Sequence, residues 1–497
     1  MATAAHSPVA DDFFSFARDH FETTLAWLQS DQAPTDHADT ERRLQREGSE
    51  LMRRLYQGFL DRCAGREPRR PGETGTVVRL RTRGLESSFG RVRVARLAYT
   101  RPGSSTEFPR DQSLNLPPDL YSLPLREQVA VEATRGSFDQ VVERLETAGG
   151  ARVPKRQAEE LVERAARDVD AFYALPHAAN DPVSAQGLLV LTSDSKGVTM
   201  RPEALRDATR KAAASQAAHQ GKADPMATKK ARKHDKRMAI VTAVYEQEPF
   251  ARTAGQVVAM LRRPVLARGV KAKPPPVEHK RVRASVQKSQ TRAIAELFDE
   301  ADRRDPGRER TTVALVDGEE RQLREVQRQA RKRDRAMTTI VDVLHVLHYL
   351  WGAANALCGG KQGETEAWVR TYLLKLLMAK TAIDVAAGIR QAATLRGVRK
   401  GQSKAVDRCV RYLRNNAPFL RYRDALDQGF PIATGVIEGA CRHLVQDRMG
   451  ITGAKWGLQG AEAVLKLRAV KANGDWDAYW RFHEEEEGLR NYPRKTP

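Results

Sequence analysis

The chain has 497 residues, room for about three domains of ordinary size. Lys and Arg total 84 against 63 Asp and Glu, a net charge of +21, which predicts attraction to polyanions and to nucleic acid first among them. At 41% hydrophobic and 30% charged residues it reads as globular rather than disordered, and no run of about 18 apolar residues offers a membrane span.

The opening MATAAHSPVADDFF carries early acids and no apolar stretch, so it does not read as a secretory signal. Cys63, Cys358, Cys409 and Cys441 form no CxxC pair, which argues against a zinc ribbon and a disulfide framework and makes a reducing cytoplasm the expected home. Neither a GxxxxGK[ST] loop nor a GxGxxG after a strand is present, so ATP-driven and dinucleotide chemistry lose support.

Along the chain, residues 1–66 predict helices. Phe14, Phe21, Leu25 and Leu28, then Leu51, Leu55 and Phe59, recur at the spacing of core packing. Over 76–99 the period changes. Val77–Arg81 and Val92–Leu97 alternate apolar and basic residues around Gly84 and Gly90, predicting a hairpin with one arginine-bearing face, suited equally to phosphate and to solvent. Residues 122–175 predict a helix-turn-helix unit: Leu125–Thr134, a Gly136-Ser137 break with an N-cap, Phe138–Thr147, a Gly149-Gly150 turn, and a third helix opened by Pro154. Lys155 and Arg156 lie in that helix's first turn, where a recognition helix meets DNA; a plain three-helix bundle gives the same pattern.

The pattern then becomes α/β. Gly187–Ser193 is a continuous apolar run ending at Asp194, the mark of a strand buried on both faces, with Gly197–Met200 as a returning strand. Met238–Tyr245, Thr312–Val316 and Thr338–Val341 read as further strands, and Ser289–Arg303 and Glu320–Asp334 as helices, giving a mixed sheet flanked by helices. Two basic segments interrupt it and read as loops or solvated helices. One spans 201–237 and includes Lys229, Lys230, Arg232 and Lys233; the other spans 262–292. Two runs of one sign beside one sheet suggest a nucleic-acid track. From Asp342 to Gln428 the chain reads as helical, Gly435–Gly439 opens another helix ending near Met449, and 475–497, with four consecutive glutamates, reads as a mobile acidic end.

Three acids stand out by position: Asp194 and Asp317 each follow a buried strand, and Glu438 opens a helix. They are far apart in sequence (317 − 194 = 123; 438 − 317 = 121), so only the fold can gather them. Carboxylates crowded at strand ends repel unless a cation lies between them, and oxygen ligands favour magnesium or manganese. Singly each has an ordinary explanation. Asp317-Gly318 is a common turn, Asp194 lies in a loop-like Ser-Asp-Ser-Lys-Gly, and a glutamate near a helix start favours the dipole. Asp342 and His345, at i and i+3, share a helical face and suit a hydrogen-bonded pair better than a zinc site.

The segments LTSDSKGVTMR, TTVALVDGEE, MTTIVDVLHVLHYLWGAANAL and TGVIEGACRHLVQDRMGITGAKWGLQGAEAVLKLRAV resemble bacterial insertion-sequence DDE transposases of the ISKra type, related to Mutator-like transposases. The resemblance covers roughly residues 120–475 and is most specific from Glu438 through Trp456 to Leu467. It implies an RNase H-like fold in which Asp194, Asp317 and Glu438 are the three acids and hold two magnesium or manganese ions. Asp342 and His345 match the family's C/DxxH signature, the helical stretch before Glu438 matches its insertion, and Arg442 matches a basic residue that accompanies the third acid. Ser195 departs from the small residue expected after the first acid. The implied domains are an N-terminal helical region with a β-hairpin (1–110), a helix-turn-helix DNA-binding module (111–180), the first part of the core (181–342), the insertion (343–430), the last core helix (431–475) and the tail (476–497). The implied activity is cleavage at element ends and transfer of a 3′-OH to target DNA. Double-stranded DNA is the partner, and the chain acts as a dimer or higher form, cytoplasmic and nucleoid-associated. The alternatives are an RNase H-like nuclease, an inactive DNA-binding regulator, and a helix-turn-helix that serves oligomerisation only.

Overall fold

A computed structural model describes residues 12–30, 36–67, 76–175, 187–212, 235–261, 274–378, 381–451 and 453–493. The chain forms two compact units. One comprises Met1–Phe172 with Asp475–Pro497, the other Tyr173–Gly474. No helix among the described residues is long and apolar enough to cross a membrane.

In the first unit, helices Ser15–Gln29 and His37–Gly65 precede strands β1 (Val77–Ser87) and β2 (Gly90–Thr100), which pair antiparallel around a Ser88-Phe89 turn. Leu60 of the second helix joins Leu85, Val92 and Val94 in one apolar cluster. The same helix covers the open edge of β2: Gln57 accepts from Arg93 N (2.8 Å) and donates to Arg93 O (2.9 Å). The register corrects the expectation of a single arginine-bearing face. Arg79, Arg81 and Arg83 share a face with Arg96, while Arg91 and Arg93 pair with Glu86 and Gly84 on the other.

The three predicted helices follow, as Leu123–Arg135, Phe138–Gly149 and Lys155–Ala165. Ser137 and Gln140 form a capping box at the second, and Gly150 ends it with φ +69°, a conformation that favours glycine. The third ends earlier than Tyr173. The tail expected to be mobile is instead helix Trp476–Asn491, with Tyr479, Trp480, His483 and Glu487 buried. Its acids are not all solvent-facing. Glu487 accepts from the fully buried Arg126 at 2.5 Å, and His483 Nδ1 lies 2.7 Å from Asp168.

The second unit is built on a five-stranded mixed sheet of order β5-β4-β3-β6-β7. Its strands are β3 (Leu188–Thr199), β4 (Lys236–Gln247), β5 (Glu278–Ser285), β6 (Thr312–Val316) and β7 (Thr338–Val341). β3–β4 and β4–β5 are antiparallel; β3–β6 and β6–β7 are parallel. Two expectations need correction. Gly197–Met200 is not a returning strand, because β3 runs unbroken through Asp194 to Thr199 and the return is β4. The basic segment 262–292 contains edge strand β5, whose Val282 and Ala284 face the core while Arg281 and Arg283 pair with Glu300 and Glu296. Burial pushes the Glu300 carboxyl up, but Arg281, Arg304 and Arg303 outweigh it and hold it at about 2. The open edge of β5 is closed by Asn473, bonded to both Val282 N and Val282 O, and by Glu462, which accepts from Val286 N and Gln287 N.

Between β7 and residue 427 the described residues form helices, chiefly Val343–Leu357, Gln362–Met378, Ala382–Leu395, Lys404–Asn415 and Tyr422–Asp427. Their apolar faces share one core with the sheet, from Leu189 and Val313 to Leu376, Ile389 and Leu413. Helix Gly435–Ala440 then packs on β3 and β4, and helix Leu458–Ala472 on β5.

Candidate active site

Strand register brings the first two acids together. Parallel strands β3 and β6 pair Thr192 with Leu315, an offset of 315 − 192 = 123, which equals the separation of Asp194 and Asp317. Each acid lies two residues beyond its paired position, so the two stand at the same level and on the same side, Asp317 past the end of β6 and Asp194 on the part of β3 that pairs only with β4. Between β6 and β7 the pair Val316–Val341 gives an offset of 25, which aligns Asp342 with Asp317 (342 − 317 = 25). Three aspartates therefore stand in a row, Asp317 and Asp342 just past the ends of β6 and β7 and Asp194 within β3 just past its pairing with β6.

They differ in what their oxygens do. Asp342 is buried and fully engaged. Oδ1 accepts from Leu344 N (2.8 Å) to cap helix Val343–Leu357, while Oδ2 accepts from the Thr434 hydroxyl and lies 3.3 Å from His345 Nδ1. Asp342 thus anchors the segment leading to Glu438, helped by Val343 N donating to Ile432 O (2.9 Å). The i, i+3 pair expected for Asp342 and His345 is present. Asp194 and Asp317 have only local or weak partners: Ser195 N (2.6 Å) and the Cys441 thiol (3.5 Å) for Asp194, Glu319 N (2.8 Å) for Asp317. Among the described residues neither they nor Glu438 form an ion pair.

Burial raises the Asp317 carboxyl above its ordinary range, and the charge of Asp194 adds to the rise; the Glu319 amide and His345 oppose it. The bond to Asp342 raises His345, burial works against it, and Asp342, Asp317 and Asp194 all add to the rise. The three aspartates therefore favour the protonated form of the imidazole beside them.

Glu438 arrives on helix Gly435–Ala440, whose buried Ile437 and Ala440 face the sheet while Glu438 is exposed. The helix continues through a π-helical turn, Cys441–Gln446, which packs on β3 and directs the Cys441 thiol at Asp194. Such turns frequently mark functional positions. Arg442 is exposed, its Nε 3.8 Å from Asp447. The carboxylates of Asp194, Asp317 and Glu438 are not one tight cluster. Among the described residues, the only three acid, His or Cys groups with ligand atoms all within 4.8 Å are Asp168, His483 and Glu487, in the first unit. Arginines already serve that set: Arg490 donates to Asp168 at 2.6 Å and Arg126 to Glu487 at 2.5 Å.

Sequence reasoning missed two positioning residues. Gln322, buried in helix Glu320–Lys332, donates to Ser193 O (2.7 Å) and accepts from Asp317 N (3.3 Å), tying the middle of β3 to the end of β6. Tyr412 donates to Asp317 O (2.7 Å). A Cβ on Gly318, at φ +84°, would lie 2.8 Å from that tyrosine oxygen, so the turn needs glycine. No sequence spacing signals either contact.

Of the expected DNA-contacting residues, Lys155 and Arg156 are exposed in the first turn of helix Lys155–Ala165, in weak surface pairs with Asp139 (2.8 Å) and Glu160 (3.3 Å). Lys229, Lys230, Arg232 and Lys233 lie outside the described residues. No protein-family model matches the chain, and no curated protein matches it significantly.

Proposed function

We propose that the chain is a DNA transposase of the DDE type, with an RNase H-like core that cuts phosphodiester bonds at element ends and joins the freed 3′-OH to target DNA. The observation that carries this reading is the coincidence of the β3–β6 register with the spacing of Asp194 and Asp317. The strand order, with three antiparallel strands followed by two parallel to the first, agrees with an RNase H-like core.

The donor set suits two divalent cations, magnesium or manganese. It consists of carboxylates only, its members lack ion-pair partners among the described residues, and it is spaced too widely for one ion, whose ligands at about 2.1 Å lie no more than about 4.2 Å apart. Asp194, Asp317 and Glu438 would hold them. When bound, such ions activate an attacking oxygen and neutralise the leaving one. The chain's own residues set the geometry. Gln322 and Tyr412 fix the backbone at Asp317, Asp342 and Thr434 fix the approach of Glu438, and Cys441 orients Asp194. His345 lies beside the aspartates, which favour its protonated form. One phosphodiester replaces another, so no ATP is needed.

DNA capture falls to the helix-turn-helix, with Lys155 and Arg156 on its third helix, and to Lys229, Lys230, Arg232 and Lys233 of the basic segment. Joining two ends calls for a dimer or higher form on double-stranded DNA in the bacterial cytoplasm, at the nucleoid. The test is incubation of the chain with magnesium and a supercoiled plasmid carrying the sequences that flank its gene. Nicks with 3′-OH ends and joined products support transposition; cleavage without joining supports an RNase H-like nuclease; binding without cleavage supports a regulator.

A further inference from the structure

Beside the second acid lies a cleft of about 670 Å³ that the acids do not use. Tyr349, Tyr412 and Phe419 form its aromatic wall and Arg408 and Arg411 its basic rim. Tyr349 and Tyr412 stack at 4.0 Å, and the Tyr412 hydroxyl donates to Asp317 O, so the cleft abuts the acid's own turn. A second cleft, of about 1270 Å³, shares Arg411 and Asn415 with the first and adds Lys400 and Arg414. The two therefore meet on helix Lys404–Asn415.

That helix divides by chemistry. Val406, Cys409 and Leu413 are buried, while Arg408, Arg411 and Arg414, three residues apart, form an exposed stripe. Many arginines elsewhere in this unit are spent on carboxylates, as Arg390 is on Asp407 and Arg324 on Glu320. Among the described residues the three stripe arginines have neither an ion-pair nor a hydrogen-bond partner. A row of unpaired guanidiniums leading to an aromatic cleft has a definite complement: phosphates along the stripe and a planar ring against the tyrosines. The volume fits a small ligand, and only an unstacked base presents a free face to enter it.

We propose that helix Lys404–Asn415 and the Tyr349–Tyr412–Phe419 cleft form a single-strand nucleic-acid site that holds one unstacked base next to Asp317. The proposal rests on the nucleic-acid reading above and adds to it a substrate class and a set of residues outside the three acids. The test measures binding rather than cleavage. The full chain, with calcium in place of magnesium, is titrated with a single-stranded oligodeoxythymidylate of about 12 nucleotides carrying 5-iodouracil. Wild type is compared with Arg408→Gln/Arg411→Gln, an exposed pair whose folding is checked by thermal melting. The expected result is about a tenfold loss of affinity, a salt slope shallower by about 1.4 for two lost phosphate contacts, and photocrosslinks at Tyr349, Tyr412 or Phe419 in the wild type. Unchanged affinity and slope, or crosslinks only elsewhere, overturns the site. If Asp194→Asn abolishes cutting while the arginine pair is silent in binding, this site is wrong and the transposase reading stands. If binding needs the arginines but no DNA is cut, the site stands and that reading falls.

Discussion

The two groups of buried or half-buried acids in this chain solve the same electrostatic problem in opposite ways. In the first unit, Asp168 and Glu487 lie close together with His483, and guanidiniums answer both: Arg490 reaches both acids and the fully buried Arg126 reaches Glu487. Burial pushes the Asp168 and Glu487 carboxyls up, yet their cationic partners leave both below the ordinary carboxylate range. In the second unit, Asp317 is raised by burial and by Asp194, and among the described residues no arginine pairs with either. The first group is complete in itself and holds helix Trp476–Asn491 to helix Leu123–Arg135. The second has no ion-pair partner of that kind among the described residues. That difference, more than the number of acids, separates a structural network from the acids proposed above to hold cations.

The largest expected effect is catalytic. Asp194→Asn, Asp317→Asn and Glu438→Gln should each reduce DNA cleavage by roughly a thousandfold or more, with DNA affinity kept, as read by gel-based cleavage and binding assays. Near-normal activity in any of the three removes that residue from the set. Next comes the structural network. Arg126→Met should lower stability by about 3–5 kcal/mol, because it strips a charge partner from buried Glu487; urea denaturation of the full chain measures it, and a silent substitution breaks the contrast between the groups.

Gln322→Leu should cost about 1–3 kcal/mol by leaving Ser193 O and Asp317 N without their buried partner. It should also slow cleavage while leaving DNA affinity unchanged, which a substitution affecting stability alone does not do. The smallest expected effect is on the stability of the metal-free chain. Burial raises Asp317, so ionising it costs the folded state. That stability is present below the ordinary carboxylate pKa and is lost as pH rises through the raised value. Metal-free Asp317→Asn should therefore melt above the wild type at neutral pH, and magnesium should narrow the gap by stabilising the wild type alone. A lower melting temperature for the variant contradicts this sign.

What was legible in the sequence followed burial. LLVLT, MAIVTAVY and TVALV have apolar runs because they are central strands, and the acids at their ends were visible for the same reason. β5 was hidden because an edge strand tolerates charges: Arg281 and Arg283 find Glu296 and Glu300 only after folding. The far half of β3 was hidden because pairing with β6 stops at Thr192, after which Ser195, Lys196 and Gly197 need only β4. The terminal helix looked like a solvated acidic run because the partners of Glu487 and His483 lie more than 300 residues earlier. Asp194, Asp317 and Asp342 were nameable individually, but their alignment is a property of register, which apolar runs do not encode. Gln322 and Tyr412 act through backbone atoms and leave no signature in spacing.

We propose that the acids lacking arginine partners among the described residues hold divalent cations and that the arginine-paired acids do not. Crystals of the chain soaked in manganese and measured for anomalous scattering test it most directly. Density is expected between Asp194 and Asp317, with a second ion toward Glu438 about 3.5–4 Å away, and none at Asp168. Density at Asp168, His483 and Glu487 with none at the aspartate row would contradict it.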